Sequence, residues 1–304
     1  MLVDKIKNRT SGIILYGITP PKRGNTDEKI AAIANRQIQR LKDLDLDGLV
    51  LYDIQDEQAR TSELRPFPFI ETLDALDYSQ KYLQELDIPR VIYRAVAKYS
   101  PEELKHFVTQ NPAEKYLTVF VGAASKSQKV SLSLSGAYGL KAKSESQMLL
   151  GGVTIPERHQ KSGDEHLRVI SKMSQGCSFF VSQGVYDVNA SKNLLSEYYY
   201  HAKENDIPLA PILFTLTPCG SQKTLQFMKW LGISIPKWLE NELMHSKDIL
   251  QQSLDYSEQS WLELKQFADQ LGIPIGCNIE SVATRKVEIE ASIELVKRVK
   301  ASMV

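Results

Sequence analysis

The feature that most restricts this chain is an alternation of eight short apolar runs with helical segments. The runs are Gly12–Thr19, Gly48–Ile54, Pro89–Ala97, Tyr116–Ala123, Leu149–Ile155, Ser178–Val181, Pro208–Leu216 and Ile273–Asn278. Between them apolar residues recur at helical spacing, as in Ile30, Ile33, Ala34, Ile38 and Leu41 after the capping residue Thr26. Short runs without alternation fit strands covered on both faces. Strands joined through helices lie parallel, with each helix packed across them. Eight such units are the count of a closed barrel. An open doubly wound sheet needs fewer strands and shows a glycine-rich phosphate turn early, and neither GxGxxG nor GxxxxGK[ST] occurs here. The sequence therefore predicts one α/β domain over residues 1–304, a (β/α)8 TIM barrel. Extra helices are expected between strands seven and eight, around Ser221–Leu231, from Ile235, and over Ser253–Leu271.

Composition narrows the function. Lys+Arg and Asp+Glu both total 37, so the balance argues against a nucleic-acid groove or a polybasic membrane patch. No apolar run reaches the roughly 18–20 residues that span a bilayer. The opening MLVDKIKNRT has no signal-peptide core, so the expected location is cytoplasmic. The cysteines, Cys177, Cys219 and Cys277, show no CxxC spacing; they read as buried small hydrophobes, and no metal site is expected.

In a parallel barrel, ligands bind beyond the carboxyl ends of the strands. The residues there are Thr19, Tyr52, Asp53, Tyr93, Gly122 to Ser125, Glu157, His159, Gln183, Tyr186, Thr215, Thr217, Asn278 and Glu280. They supply donors, acceptors, aromatic faces and a few carboxylates, but no metal cage. Taken on the residues alone, Glu157 reads as an ion-pair partner of Arg158 or Lys161, and His159 as a helix cap. Lys172 reads as a surface lysine, Phe227 as core packing beside Leu225 and Met228, and Tyr186 and Tyr52 as packing or ring-stacking groups.

The stretch from Leu150 to Asp187 carries a resemblance. Ile155-Pro156-Glu157-Arg158-His159, then Lys172, Gly176 and Ser182-Gln183 ending at Tyr186-Asp187, is similar to the central signature of the methylenetetrahydrofolate reductase family. The likeness runs from about Ile13 to the last helix. It implies an oxidoreductase that moves a hydride from NAD(P)H to 5,10-methylenetetrahydrofolate, with FAD mediating by ping-pong transfer, in one-carbon metabolism and methionine biosynthesis. It implies that His159 and Lys172 lie near the flavin, with Tyr52, Tyr93 and Gly122 completing its surroundings. It also implies that Gln183 binds the pterin through an amide that both donates and accepts, that Phe227 stacks on the aminobenzoyl ring, and that Tyr186 lines the folate. A small-molecule folate is the expected partner, and a homo-oligomer or a partner subunit is compatible with the sequence.

The sequence departs from that family at three strand ends. The family's first strand ends Glu-Phe-Phe-Pro-Pro, with the glutamate as general acid; here Tyr16-Gly17-Ile18-Thr19-Pro20-Pro21 puts glycine in its place. The family's Arg-Gly-Asp after strand four is replaced by Val121-Gly122-Ala123, and its histidine after strand three falls at Tyr93. Glu280, Asp53 and Glu157 are the candidate replacement acids. The alternatives are a flavin-independent folate or pterin barrel in hydride, one-carbon or methyl transfer, and a non-catalytic folate-binding subunit.

Overall fold

The computed structural model describes residues 1–58, 61–123 and 130–303. Of the strand-end positions named above, Ala124 and Ser125 lie outside the described residues.

Eight strands form a closed barrel in sequence order. They are β1 (Ile13–Ile18), β2 (Gly48–Leu51), β3 (Arg90–Ala95), β4 (Tyr116–Val121), β5 (Leu150–Thr154), β6 (Cys177–Gly184), β7 (Ile212–Leu216) and β8 (Ile275–Glu280). Each pairs in parallel with its neighbours, and β1 closes on β8 with Gly17 opposite Glu280. Alternate side chains point inward. Ile13, Leu15, Val50, Val91, Leu117, Val119, Phe179, Val181 and Leu213 fill the interior as one apolar cluster. The other set, including Ile14, Tyr16, Leu49, Ile92 and Phe214, packs against the surrounding helices.

The helices are α1 (Leu2–Lys7), α2 (Asp27–Leu41), α3 (Ala75–Tyr82), α4 (Pro101–Gln110), α5 (Leu134–Lys143), α6 (Pro156–Ser162), α7 (Glu165–Ser174), α8 (Val188–Glu204), α9 (Gln222–Trp230), α10 (Lys237–His245), α11 (Ile249–Leu271) and α12 (Lys286–Ala301). The extra helices between strands seven and eight are thus α9, α10 and α11. Local chemistry explains several boundaries. Ser100 and Glu103 form a reciprocal capping box with Pro101 at the first helical position. Gly272 closes α11 in the left-handed conformation, at φ 68°.

Two elements differ from the sequence expectation. The start of the chain is a helix whose Leu2, Val3 and Ile6 join the interior cluster, plugging the amino end of the barrel. Periodicity over one and a half turns is too short a signal to announce that. On α7 the buried face is Glu165, His166 and Val169, whereas the apolar Leu167 is 44% exposed, against what hydrophobic periodicity predicts. The inward Glu165 is buried because it braces the preceding turn, accepting from Thr154 Oγ1 at 3.1 Å and from the Ile155 amide at 2.8 Å.

No helix among the described residues is long and apolar enough to cross a membrane. The cysteines are buried and unpaired, and burial pushes the Cys177 and Cys219 thiols up to about 12.

Candidate functional site

The floor of the carboxyl-end mouth is built by β1, β2, β3, β7 and β8. Gly17 lies beside Glu280 in the β1–β8 register. Tyr52, just past β2, lies close enough to Glu280 for each to shift the other's pKa. Its hydroxyl oxygen accepts from Asn278 Nδ2 at 2.7 Å. Asn278 Nδ2 also reaches Thr215 Oγ1 at 3.2 Å, and Thr215 donates onward to the Ser182 carbonyl at 2.6 Å. Tyr93 stands edge-on to Tyr52, with ring centroids 4.9 Å apart.

This arrangement gives Glu280 an acid's properties near neutrality. Burial raises its pKa to about 7, and the Tyr52 hydroxyl partly opposes that rise. Burial, with the nearby Glu280 charge, holds the phenols of Tyr52 and Tyr93 above the ordinary tyrosine range. Gly17 makes the pair sterically possible. A Cβ there would sit 2.9 Å from Tyr52 Cε2 and 3.1 Å from Glu280 Cβ. The glycine that stands where the resembled family has its acid therefore vacates the space that Tyr52 and Glu280 occupy.

The other two candidate acids are placed differently. Asp53 is bound up: it accepts from the Ala95 amide at 2.9 Å and from Tyr99 Oη at 2.9 Å, and it pairs with Lys98. Glu157 is buried on α6, and neither of its oxygens has a hydrogen-bond partner among the described residues. Neither Arg158 nor Lys161 pairs with it. Burial raises its pKa to about 7, with Asp187 and Glu165 adding repulsion and Lys161 opposing. Between about pH 4.5 and 7 the folded protein holds this proton more often than the unfolded chain does, so stability falls as pH rises through that window. Glu157→Gln is accordingly expected to raise the melting temperature at pH 8 by the equivalent of about 2–3 kcal/mol. It should change little near pH 4.5; thermal melts at the two pH values check this.

His159, on the same short helix, is buried with its ring edge-on to His166 at 5.3 Å, and His166 meets His201 at 5.6 Å. It caps no helix. Lys172 is not a surface lysine: its ammonium donates to the Val153 carbonyl at 2.5 Å, and burial lowers its pKa. The Gly122 carbonyl accepts from Gln55 Nε2 at 3.0 Å. These side chains do not assemble a flavin cradle of the kind the resembled family uses. Lys172, expected near the flavin, is engaged by a backbone carbonyl, and His159 sits in a row of histidines.

The substrate-side residues separate into two groups. Gln183 lies at the end of β6, its amide nitrogen donating to the Leu231 carbonyl at 2.9 Å. Phe227, on α9, stacks on Trp230 at 6.1 Å and meets Phe67 edge-on at 5.2 Å. Tyr186 belongs to neither rim nor floor. It is fully buried, donates to the Thr217 carbonyl at 2.7 Å, contacts Ser253 Oγ at 2.8 Å, and packs in the apolar cluster beneath α9–α11. Asn278, given no role by the sequence beyond its place at a strand end, is what joins Tyr52 to Thr215. Its signal is an amide in the strand interior, between Cys277 and Ile279.

Fold and floor together define a (β/α)8 barrel with a half-buried glutamate and tyrosine side by side at its carboxyl-end mouth. The chain belongs to the family of a Clostridium thermocellum protein, described as uncharacterized, that binds two copies of 5-methyl-5,6,7,8-tetrahydrofolic acid. The two are 53% identical over 99% of each chain, with a TM-score of 0.89. A 2,3-dimethylmalate lyase is 11% identical over 100% of this chain and 98% of its own, with a TM-score of 0.43. A Xanthomonas albilineans dihydropteroate synthase with 4-aminobenzoic acid is 11% identical over 97% of this chain and 94% of its own, with a TM-score of 0.44. At that distance neither likeness bears on what this chain does. No protein-family model and no curated protein matches the chain.

Proposed function

We propose that this barrel binds a reduced folate at its mouth and reduces 5,10-methylenetetrahydrofolate to 5-methyltetrahydrofolate, with Glu280 as proton donor. The observation that carries this reading is the Gly17–Tyr52–Glu280 arrangement. An acid is absent where the resembled family keeps one, and a carboxyl with its pKa raised to about 7 stands one strand away. Support for the ligand comes from the 53% identical relative that binds 5-methyltetrahydrofolic acid, the product of that reaction.

Protonated Glu280 gives its proton to N10 of the folate, and the C–N10 bond breaks to leave a methylene iminium at N5. A hydride from the reduced nicotinamide of NAD(P)H then adds to that carbon, giving the methyl group and NAD(P)⁺. Glu280, left as carboxylate and held by the Tyr52 hydroxyl, regains its proton from solvent. Because the residues present do not fit the family's flavin cradle, no step is routed through FAD. The test is a steady-state assay of the purified protein with NAD(P)H and 5,10-methylenetetrahydrofolate, without added flavin. Formation of 5-methyltetrahydrofolate matched by nicotinamide oxidation is expected. Tight folate binding with neither would favour the second reading, a folate-binding subunit, for which the glycine at position 17 in place of the family's acid speaks.

A further inference from the structure

Asn278 is a polar side chain in the interior of the barrel. It takes an inward position on β8, two residues below Glu280, while Ile275, Cys277 and Ile279 of the same strand pack outward against the helices. The residue is wholly buried. Its Nδ2 reaches Tyr52 Oη at 2.7 Å and Thr215 Oγ1 at 3.2 Å. Thr215 fixes which way the amide faces. Its hydroxyl donates its one proton to the Ser182 carbonyl at 2.6 Å, so toward Asn278 it can only accept. The amide oxygen, Oδ1, is left without a partner among the described residues.

A buried carbonyl with no donor is destabilising, and an aliphatic side chain in its place would be free of that penalty. Stability alone therefore does not account for an amide here. What Asn278 supplies is a donor aimed at the Tyr52 hydroxyl from a firm base. Thr215 lies opposite it in the β7–β8 register. The Ser182 hydroxyl accepts from the Thr215 amide at 2.9 Å and donates to the Gln183 carbonyl at 2.7 Å, so the clamp is anchored as far as β6. On its other side Tyr52 adjoins the acid: a Cβ on Gly17 would lie 3.0 Å from Tyr52 Oη and 3.1 Å from Glu280 Cβ. The edge of the Tyr93 ring limits any retreat of the Tyr52 ring.

We propose that Asn278 is the positioning residue of the proton donor: braced by Thr215, it holds the Tyr52 hydroxyl in place beside Glu280. The role rests on the folate-reduction reading above and deepens it, because Asn278 acts through Tyr52 on the acid that reading uses. Its effect falls on the pH at which Glu280 gives up its proton. The Tyr52 hydroxyl opposes the rise that burial imposes on the Glu280 pKa. A tyrosine without its clamp opposes that rise less, so Glu280 keeps its proton to higher pH and is the weaker acid.

The experiment compares wild type with Asn278→Val, Tyr52→Phe and the double variant in two titrations. One is the pH profile of kcat/KM for methylenetetrahydrofolate, which reports the free enzyme's acid. The other follows the protonated Glu280 carboxyl of the ligand-free protein by its infrared C=O stretch, identified by difference from Glu280→Gln. Each single variant is expected to raise both midpoints by about half to one pH unit, the size of one ordinary hydrogen bond. The double variant should move no further than Tyr52→Phe, since both changes act through one contact. Unmoved midpoints in Asn278→Val, with only a lower melting temperature, overturn the inference, and so does a double variant in which the two shifts add. If wild type shows no turnover, the reduction reading fails. The infrared titration then still decides by the same outcomes whether Asn278 governs Glu280. Asn278→Ala, too small to crowd the Tyr52 ring, is measured alongside and keeps the test intact should the valine variant misfold.

Discussion

Glu280→Gln lowers turnover of methylenetetrahydrofolate by about 10²–10⁴-fold, the range that general acid catalysis ordinarily contributes. Glutamine keeps the shape and hydrogen-bonding of the neutral acid, so Tyr52 retains a partner and the floor retains its packing. What is lost is the proton. The ratio of kcat to its wild-type value should therefore fall while the dissociation constant for 5-methyltetrahydrofolate changes little, the pattern of an interaction made in the transition state. The pH profile supplies an independent readout. The acid must be protonated to act, and its pKa is raised to about 7, so the wild-type rate should decline as pH rises through that value. The residual rate of the variant should be flat there. A variant retaining most of its activity with an unchanged pH profile would remove Glu280 from the chemistry.

Gly17→Ala is the second large effect, and it acts through space. The added methyl would meet Tyr52 Cε2 at 2.9 Å, Tyr52 Oη at 3.0 Å and Glu280 Cβ at 3.1 Å. Tyr52 has little freedom to yield, because Tyr93 packs at 4.9 Å on one side and Asn278 holds its hydroxyl on another. Overpacking of this kind costs about 1–3 kcal/mol of stability. A displaced Tyr52 also misplaces the proton donor, and an error near 1 Å at a reacting group can cost roughly 10²-fold in rate. Urea denaturation and a kcat measurement on the same preparation check both parts. An alanine variant as stable and as active as wild type would show that the glycine is incidental.

The barrel was legible because its signal is repeated eight times: each buried strand reads as a short apolar run closed by polar residues. The same rule located Tyr52, Tyr93 and Glu280 at the mouth, since inward positions follow from period two. What the sequence could not supply was pairing across strands. Gly17 looks like a lost acid until the β1–β8 register sets it beside Glu280. Asp53 looks like a free carboxylate until Tyr99 and the Ala95 amide, more than 40 residues away, come to it. Tyr186 sits at a strand end in sequence, yet the helices inserted after β7 fold over it and bury its ring. Lys172 has helical surface spacing, but its long stem reaches under Gly152, where a Cβ would lie 3.2 Å from Lys172 Cδ. In each case the deciding contact is remote in sequence, and local pattern carries no information about it.

The most direct measurement is a crystal structure of the protein soaked with 5-methyltetrahydrofolate. The account predicts the pterin over the barrel floor, with N10 of the folate within hydrogen-bond reach of Glu280, about 3 Å directly or one water away. A folate bound elsewhere, with the Glu280 carboxyl still facing only Tyr52, would contradict it.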